Sequence, residues 1–292
     1  MGRQLARAGL NLKDLRGVFI THLHSDHIVD LSSLLLFGMS VTSTPPENRV
    51  PIIGPGNRGV LPPLSPHASF ELRLPDEENP VPGTTEMVEL LIRAYGTDVA
   101  DRVRDALRPA PDEIFHALDI QIPSSAGFHP NEASHPTIEP FTVWEDENVS
   151  VRATLVDHPP LAPAYAFRFE TSQGSIVVSG DTAPSENLVL LAKDADILLH
   201  EAIDFDAISL AYEGVSEQVR NASMDHHRKS HTSASQAAEI ANIANVKTLV
   251  LHHLVPGNVS RASWKEGAAS FRGQLVIAED LGVLHLGDGT KQ

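Results

Sequence analysis

Thr21-His22-Leu23-His24-Ser25-Asp26-His27 is the stretch on which the reading of this chain turns. His22, His24, Asp26 and His27 bring three imidazoles and a carboxylate into one short segment. Apolar Gly17-Val18-Phe19-Ile20 precedes it, and an apolar run from Ile28 to Met39 follows. That context predicts a strand ending in a loop, with a helix starting after it. Imidazole nitrogen and carboxylate oxygen are the ligands that a borderline divalent ion such as zinc prefers. In extended backbone, side chains two positions apart point the same way, so His22 and His24 are placed to grip one ion. Asp26 and His27, where the chain turns, are left to face a second.

The surrounding composition narrows the class. With 292 residues, 41% of them hydrophobic, the chain can bury a sizeable core as one large α/β domain or two small ones. No stretch reads as a bilayer span or a signal peptide. Cysteine is absent, which excludes thiolate zinc sites and a cysteine nucleophile and leans towards a cytoplasmic protein. A net charge of −16 repels polyanions, so the expectation at this point disfavours nucleic acid as a partner.

Residues 3–10 read as a short helix and residues 15–21 as the strand that delivers the heptad. A stretch over 44–140 is rich in proline and reads as loops around one or two helices, the clearest over 84–107. From residue 149 onward strands alternate with helices. Strands are expected over 149–156, 164–170, 175–179, 197–200, 248–251, 274–278 and 281–286, and helices over 187–192 and 233–244. This alternation predicts a layered α/β domain.

Four of these strands end in a metal-competent side chain. They close in Val156-Asp157-His158, Ser179-Gly180-Asp181, Leu198-Leu199-His200-Glu201 and Leu249-Val250-Leu251-His252-His253. A strand-end aspartate alone is more often a turn former or helix cap. All of them together, after the histidine-rich heptad, point to an active site built at strand ends. His231, in Lys229-Ser230-His231-Thr232, either caps the helix that follows or takes part in chemistry. His226 and His227 read as mobile loop residues near the site.

Taken together, these segments resemble the metallo-β-lactamase-fold superfamily of metallohydrolases, in its ribonuclease Z and arylsulfatase-like branch. The resemblance runs through 21–27, His158, 179–182, His200-Glu201-Ala202, His231-Thr232-Ser233 and 251–256. It implies a single αββα sandwich over 1–292, with residues 44–140 as a proline-rich insert or lid. It implies two Zn²⁺ ions, with Mn²⁺ or Fe²⁺ as alternatives. His22, His24 and His158 would hold the first, Asp26, His27 and His253 the second, and Asp181 would bridge them. His253 is preferred to His252 because the family places its ligand directly before the residues that lead to the proline, here Leu254-Val255-Pro256. Glu201 resembles the carboxylate that supports the His231 imidazole, and Asp26 is placed to orient a hydroxide shared by the metals.

The family opens with several strands before its histidine motif, so this chain looks N-terminally short, and a bare sheet edge predicts a homo-oligomer. The function expected is a dinuclear-zinc hydrolase acting on a small ester-like molecule: an aryl sulfate, a phosphodiester or a lactone. The alternatives are a ribonuclease Z-like phosphodiesterase that processes tRNA 3′ ends, and a non-catalytic metal-binding module. Ribonuclease Z enzymes insert a long basic arm between the equivalents of His158 and Asp181. Here those residues are 23 positions apart (181 − 158), room for little more than a hairpin.

Overall fold

Apolar runs punctuated by proline, glycine and aspartate set the strands of two separate sheets. The computed structural model describes residues 2–286 other than 11, 42, 43 and 72. The chain forms two compact units, one of residues 1–61 with 76–121 and one of residues 62–75 with 122–292.

The first unit runs α1 (Gly2–Arg7), β1 (Val18–Phe19), α2 (Ser25–Ile28), α3 (Leu31–Val41), β2 (Val50–Gly54), α4 (Thr84–Ala94), α5 (Gly96–Arg104), α6 (Pro111–Ile114) and β3 (Phe115–Asp119). Its sheet has the order β1-β2-β3, all parallel. Leu31, Leu34 and Leu35 recur at helical spacing and bury one stripe of α3 with Ile20, Ile52, Val88 and Phe115. Each such leucine contributes roughly 1.5–3 kcal/mol on burial. The Ile20 N–H still bonds the Ile53 carbonyl at 2.8 Å, so the histidine heptad leaves the sheet at Thr21.

Three details differ from the sequence pattern. The first strand pairs only over Val18–Phe19. The helix expected over 84–107 is two helices, broken at Tyr95 (φ −100°, ψ 19°) ahead of Gly96. The proline-rich stretch supplies two strands, β2 and β3. Proline argues against a central strand, but Pro51 sits one residue before the first β1 rung, Val18↔Ile52, where a missing N–H removes no bond to β1.

The second unit runs β4 (Phe141–Glu145), β5 (Val149–Leu155), β6 (Tyr165–Thr171), β7 (Gly174–Val178), α7 (Glu186–Ala192), β8 (Ile197–Ile203), α8 (Phe205–Leu210), α9 (Glu217–Ser230), α10 (Ala234–Ile243), β9 (Thr248–Val255), α11 (Arg261–Gly267) and β10 (Gln274–Ile277). The strand expected over 281–286 does not form. Sheet order is β10-β9-β8-β7-β6-β5-β4. One face carries Val177, Leu198 and Leu249, aligned across β7, β8 and β9, against the alanines of α10: Ala237, Ala238 and Ala241.

Strand direction decides where the site residues go. β7, β8 and β9 are mutually parallel, so their carboxyl ends share one edge. β5 is antiparallel to β6 and β6 to β7, which gives β5 the same direction as β7. The segments after β5 and β7, and the ends of β8 and β9, therefore emerge together. Among the described residues no helix is long and apolar enough to cross a membrane.

Candidate functional site

In the first unit the heptad changes backbone conformation midway. His24 is extended (φ −68°, ψ 146°), and Ser25–Ile28 closes one helical turn. Extension keeps His22 and His24 on one side, and the turn swings His27 back towards them. The rings of His22 and His24 meet edge-on at 5.0 Å between centroids, and those of His22 and His27 lie 4.1 Å apart. Asp26 Oδ2 is 3.6 Å from His27 Nε2. His22 is buried; the Asp26 side chain is exposed. The fold thus brings the four heptad residues into one cluster.

The second unit assembles its cluster from strand ends. His158, Asp181 and His231 are all buried and present ligand atoms within 4.8 Å of one another. His158 Nδ1 lies 2.8 Å from the Ser230 carbonyl. A carbonyl only accepts, so the proton sits on Nδ1 and the lone pair is on Nε2. His231 Nδ1–H donates to Glu201 Oε1 at 2.9 Å, and the same oxygen accepts from the Thr182 N–H at 3.0 Å. Burial drives the Glu201 carboxyl upward, and its bond to His231 pulls it back. His253 Nε2 stands 3.7 Å from Asp181 Oδ2.

A β-bulge separates the two adjacent histidines of β9. Glu201 pairs with His252, but Ala202 pairs with Leu254, leaving His253 as the extra residue in the left-handed region (φ 46°). Sequence pattern left both imidazoles open on the residues alone, because a bulge has no periodic signal.

His226 and His227 are not in a loop. They lie on α9, which Ser216 caps and whose Met224 packs on Ile203 and Ile208. That helix carries few apolar residues, so periodicity missed it. His227 Nε2 lies 2.8 Å from the Tyr212 hydroxyl, and both rings come within 6 Å of His231 (5.9 and 5.8 Å). Sequence reasoning also gave no role to Ser179, Thr182 and His200, whose hydrogen bonds hold Glu201. His200 is wholly buried, and burial lowers its pKa to about 4, so it is neutral.

The donors are imidazole and carboxylate throughout, the chemistry that suits zinc and other borderline divalent ions. The metallo-β-lactamase superfamily profile matches residues 1–253. The chain belongs to the metallo-β-lactamase superfamily. It is 30% identical to a ribonuclease Z of Mycobacterium bovis over 282 residues, covering 96% of this chain and 82% of that protein. A ribonuclease Z of a Mycobacterium species (strain KMS) is 31% identical over 283 residues, 95% and 80% of the two chains. Among solved structures, human tRNase Z, short form, superposes with a TM-score of 0.58 at 19% identity, over 98% of this chain and 85% of that one. YhfI of Bacillus subtilis does so at 0.51 and 17%, over 92% and 77%.

The fold is therefore the α/β metallo-β-lactamase fold, and the protein is a metal-dependent hydrolase with groups of histidine and aspartate able to hold metal. The similarity also overturns the expectation that its partner is a small ester and that nucleic acid is disfavoured. The relatives matched along nearly the whole chain are named ribonucleases. A net charge of −16, summed over the whole surface, does not describe the field at the site. Affinity for RNA depends on the local charges and metals that face the phosphates, not on the sum over the surface.

Proposed function

We propose that this hydrolase is a ribonuclease Z-like phosphodiesterase that cleaves the 3′ extension of precursor tRNA. The observation that carries the reading is the 30–31% identity to ribonucleases Z, sustained over 95–96% of the chain. The donor set suits two zinc ions: His22, His24 and His158 would hold one, Asp26, His27 and His253 would hold the other, and Asp181 would serve both. Zinc, when bound, supplies Lewis-acid stabilisation of a phosphoryl oxygen and activates water at neutral pH.

The chain's own residues supply the rest. Glu201 accepts the Nδ1 proton of His231, which fixes the imidazole orientation and raises its basicity. His231 Nε2 is then the atom that gives a proton to the departing ribose oxygen. Asp26, beside His27, orients the attacking water. The span between His158 and Asp181 is occupied by the β6–β7 hairpin, so it offers no long arm for tRNA. Phosphate contacts fall instead to the metals and to a few cations such as Arg228 and Lys229 at the end of α9.

The test sets precursor tRNA beside aryl sulfate, bis-aryl phosphate and acyl lactone substrates, with zinc-loaded protein at low salt. Endonucleolytic cleavage of the tRNA that weakens as salt rises is expected, because each phosphate contact adds about 0.7–0.9 to the log–log salt slope. Turnover of the small esters with the tRNA left intact overturns the RNA reading and leaves the hydrolase.

A further inference from the structure

Both backbone groups of Glu201 are held by side chains. Its N–H donates to Ser179 Oγ at 3.1 Å, and its carbonyl accepts from His200 Nδ1 at 2.8 Å. This is also the point at which β8 and β9 slip register around His253. A bulge disrupts the ladder locally and re-aims the residue it carries. A non-glycine residue at φ 46° persists only where its surroundings hold it.

His200 is suited to that task. Neighbouring strand residues alternate faces, so its ring lies on the side of the sheet opposite to Glu201, in register with Leu251 of the helix-covered core. Its Nε2 is buried with no hydrogen-bond partner among the described residues. A leucine of similar bulk would fill this place without a polar atom, so general packing does not account for an imidazole here. The Nδ1–H bond to the Glu201 carbonyl does.

We propose that His200 is a positioning residue: its Nδ1–H fixes the Glu201 carbonyl at the bulge, and so sets both the Glu201 carboxylate against His231 and the imidazole of His253. The proposal rests on reading Glu201, His231 and His253 as site residues, and not on the identity of the substrate. His200 touches no substrate and acts through the main chain. Asparagine can present an N–H near the position of Nδ1. Leucine has no donor, and glutamine places its amide nearer to Nε2.

His200→Leu, His200→Asn and His200→Gln are compared by thermal melting of the metal-free protein, by zinc affinity in competition with a chromophoric chelator, and by kinetics on bis(p-nitrophenyl) phosphate. His200→Leu, which leaves the buried Glu201 carbonyl without its donor, is expected to melt slightly below the parent, to bind its weaker zinc about 10–100-fold less tightly, and to lose kcat by a similar factor with KM nearly unchanged. His200→Asn should recover most of both losses and His200→Gln little. Parental zinc affinity and kcat in His200→Leu overturn the proposal. So do equal losses in the asparagine and glutamine variants, a comparison that still decides the matter if the leucine variant does not fold. If the parent binds zinc and turns over the phosphodiester but leaves tRNA uncut, the RNA reading fails while the His200 comparison stands.

Discussion

The two His/Asp clusters are built on opposite principles. The heptad cluster draws four residues from six consecutive positions, and one change from extended to helical backbone is enough to bring them together. The strand-end cluster draws His158 and Asp181 from the segments after β5 and β7, Glu201 and His253 from β8 and β9, and His231 from the residue after α9, and needs the sheet in register. The first is a local device with an exposed carboxylate at Asp26; in the second, all but half-buried His253 are buried. A local cluster can therefore lose a residue at little cost to folding, whereas the strand-end cluster couples ligation to the core.

The largest effect expected is from Asp181→Ala. If Asp181 serves both metals, as proposed, its loss should remove both and lower hydrolysis beyond the roughly 10⁴-fold upper range for a lost acid–base group. Elemental analysis beside turnover checks this, and full metal occupancy would remove the bridging role. His231→Ala should come next, with a fall in kcat of about 10²–10⁴-fold and metal content intact. The loss should shrink on nitrophenyl esters, whose leaving group needs no proton; equal losses on good and poor leaving groups would make His231 structural.

Stability tests the contrast itself. In metal-free protein, His158→Ala strips the Ser230 carbonyl of its buried donor and should cost roughly 1–3 kcal/mol by urea unfolding. Asp26→Ala, on an exposed side chain, should stay within about 0.5 kcal/mol. Equal costs would break the distinction between local and sheet-dependent clusters.

The smallest effect is a pH control at the start of β8, away from the strand ends that carry the second cluster. The Lys247 side-chain bond, with the Ser175 N–H, holds the Asp196 carboxyl below its ordinary value. A depressed carboxylate stabilises the fold above its unfolded pKa and loses that stabilisation as pH falls through the folded one. Lys247→Met should flatten the acid limb of stability by less than about 1 kcal/mol, since Lys247 is largely exposed.

What sequence pattern could see follows from range. The strands of the second sheet from β5 to β10 announced themselves by β-branched or aromatic runs, and α10 by its capping serine, Ser233. β2 and β3 hid in proline-rich surroundings, and α9 hid because its face is nearly all polar. The candidate ligands were legible because imidazole and carboxylate at strand ends carry their chemistry in their identity.

From the amino-acid sequence alone came the histidine heptad, the strand-end ligand candidates, a donor set without thiolate, and hence the superfamily and its metal chemistry. Tertiary structure alone decided which nitrogen of His158 carries the proton, that Glu201 faces His231, that His253 rather than His252 is turned out by a bulge, and that His200 braces it. The reason is that donor chemistry belongs to single side chains. Tautomer, register and bulge belong to hydrogen bonds between residues far apart in the chain, and those exist only once the sheet has formed.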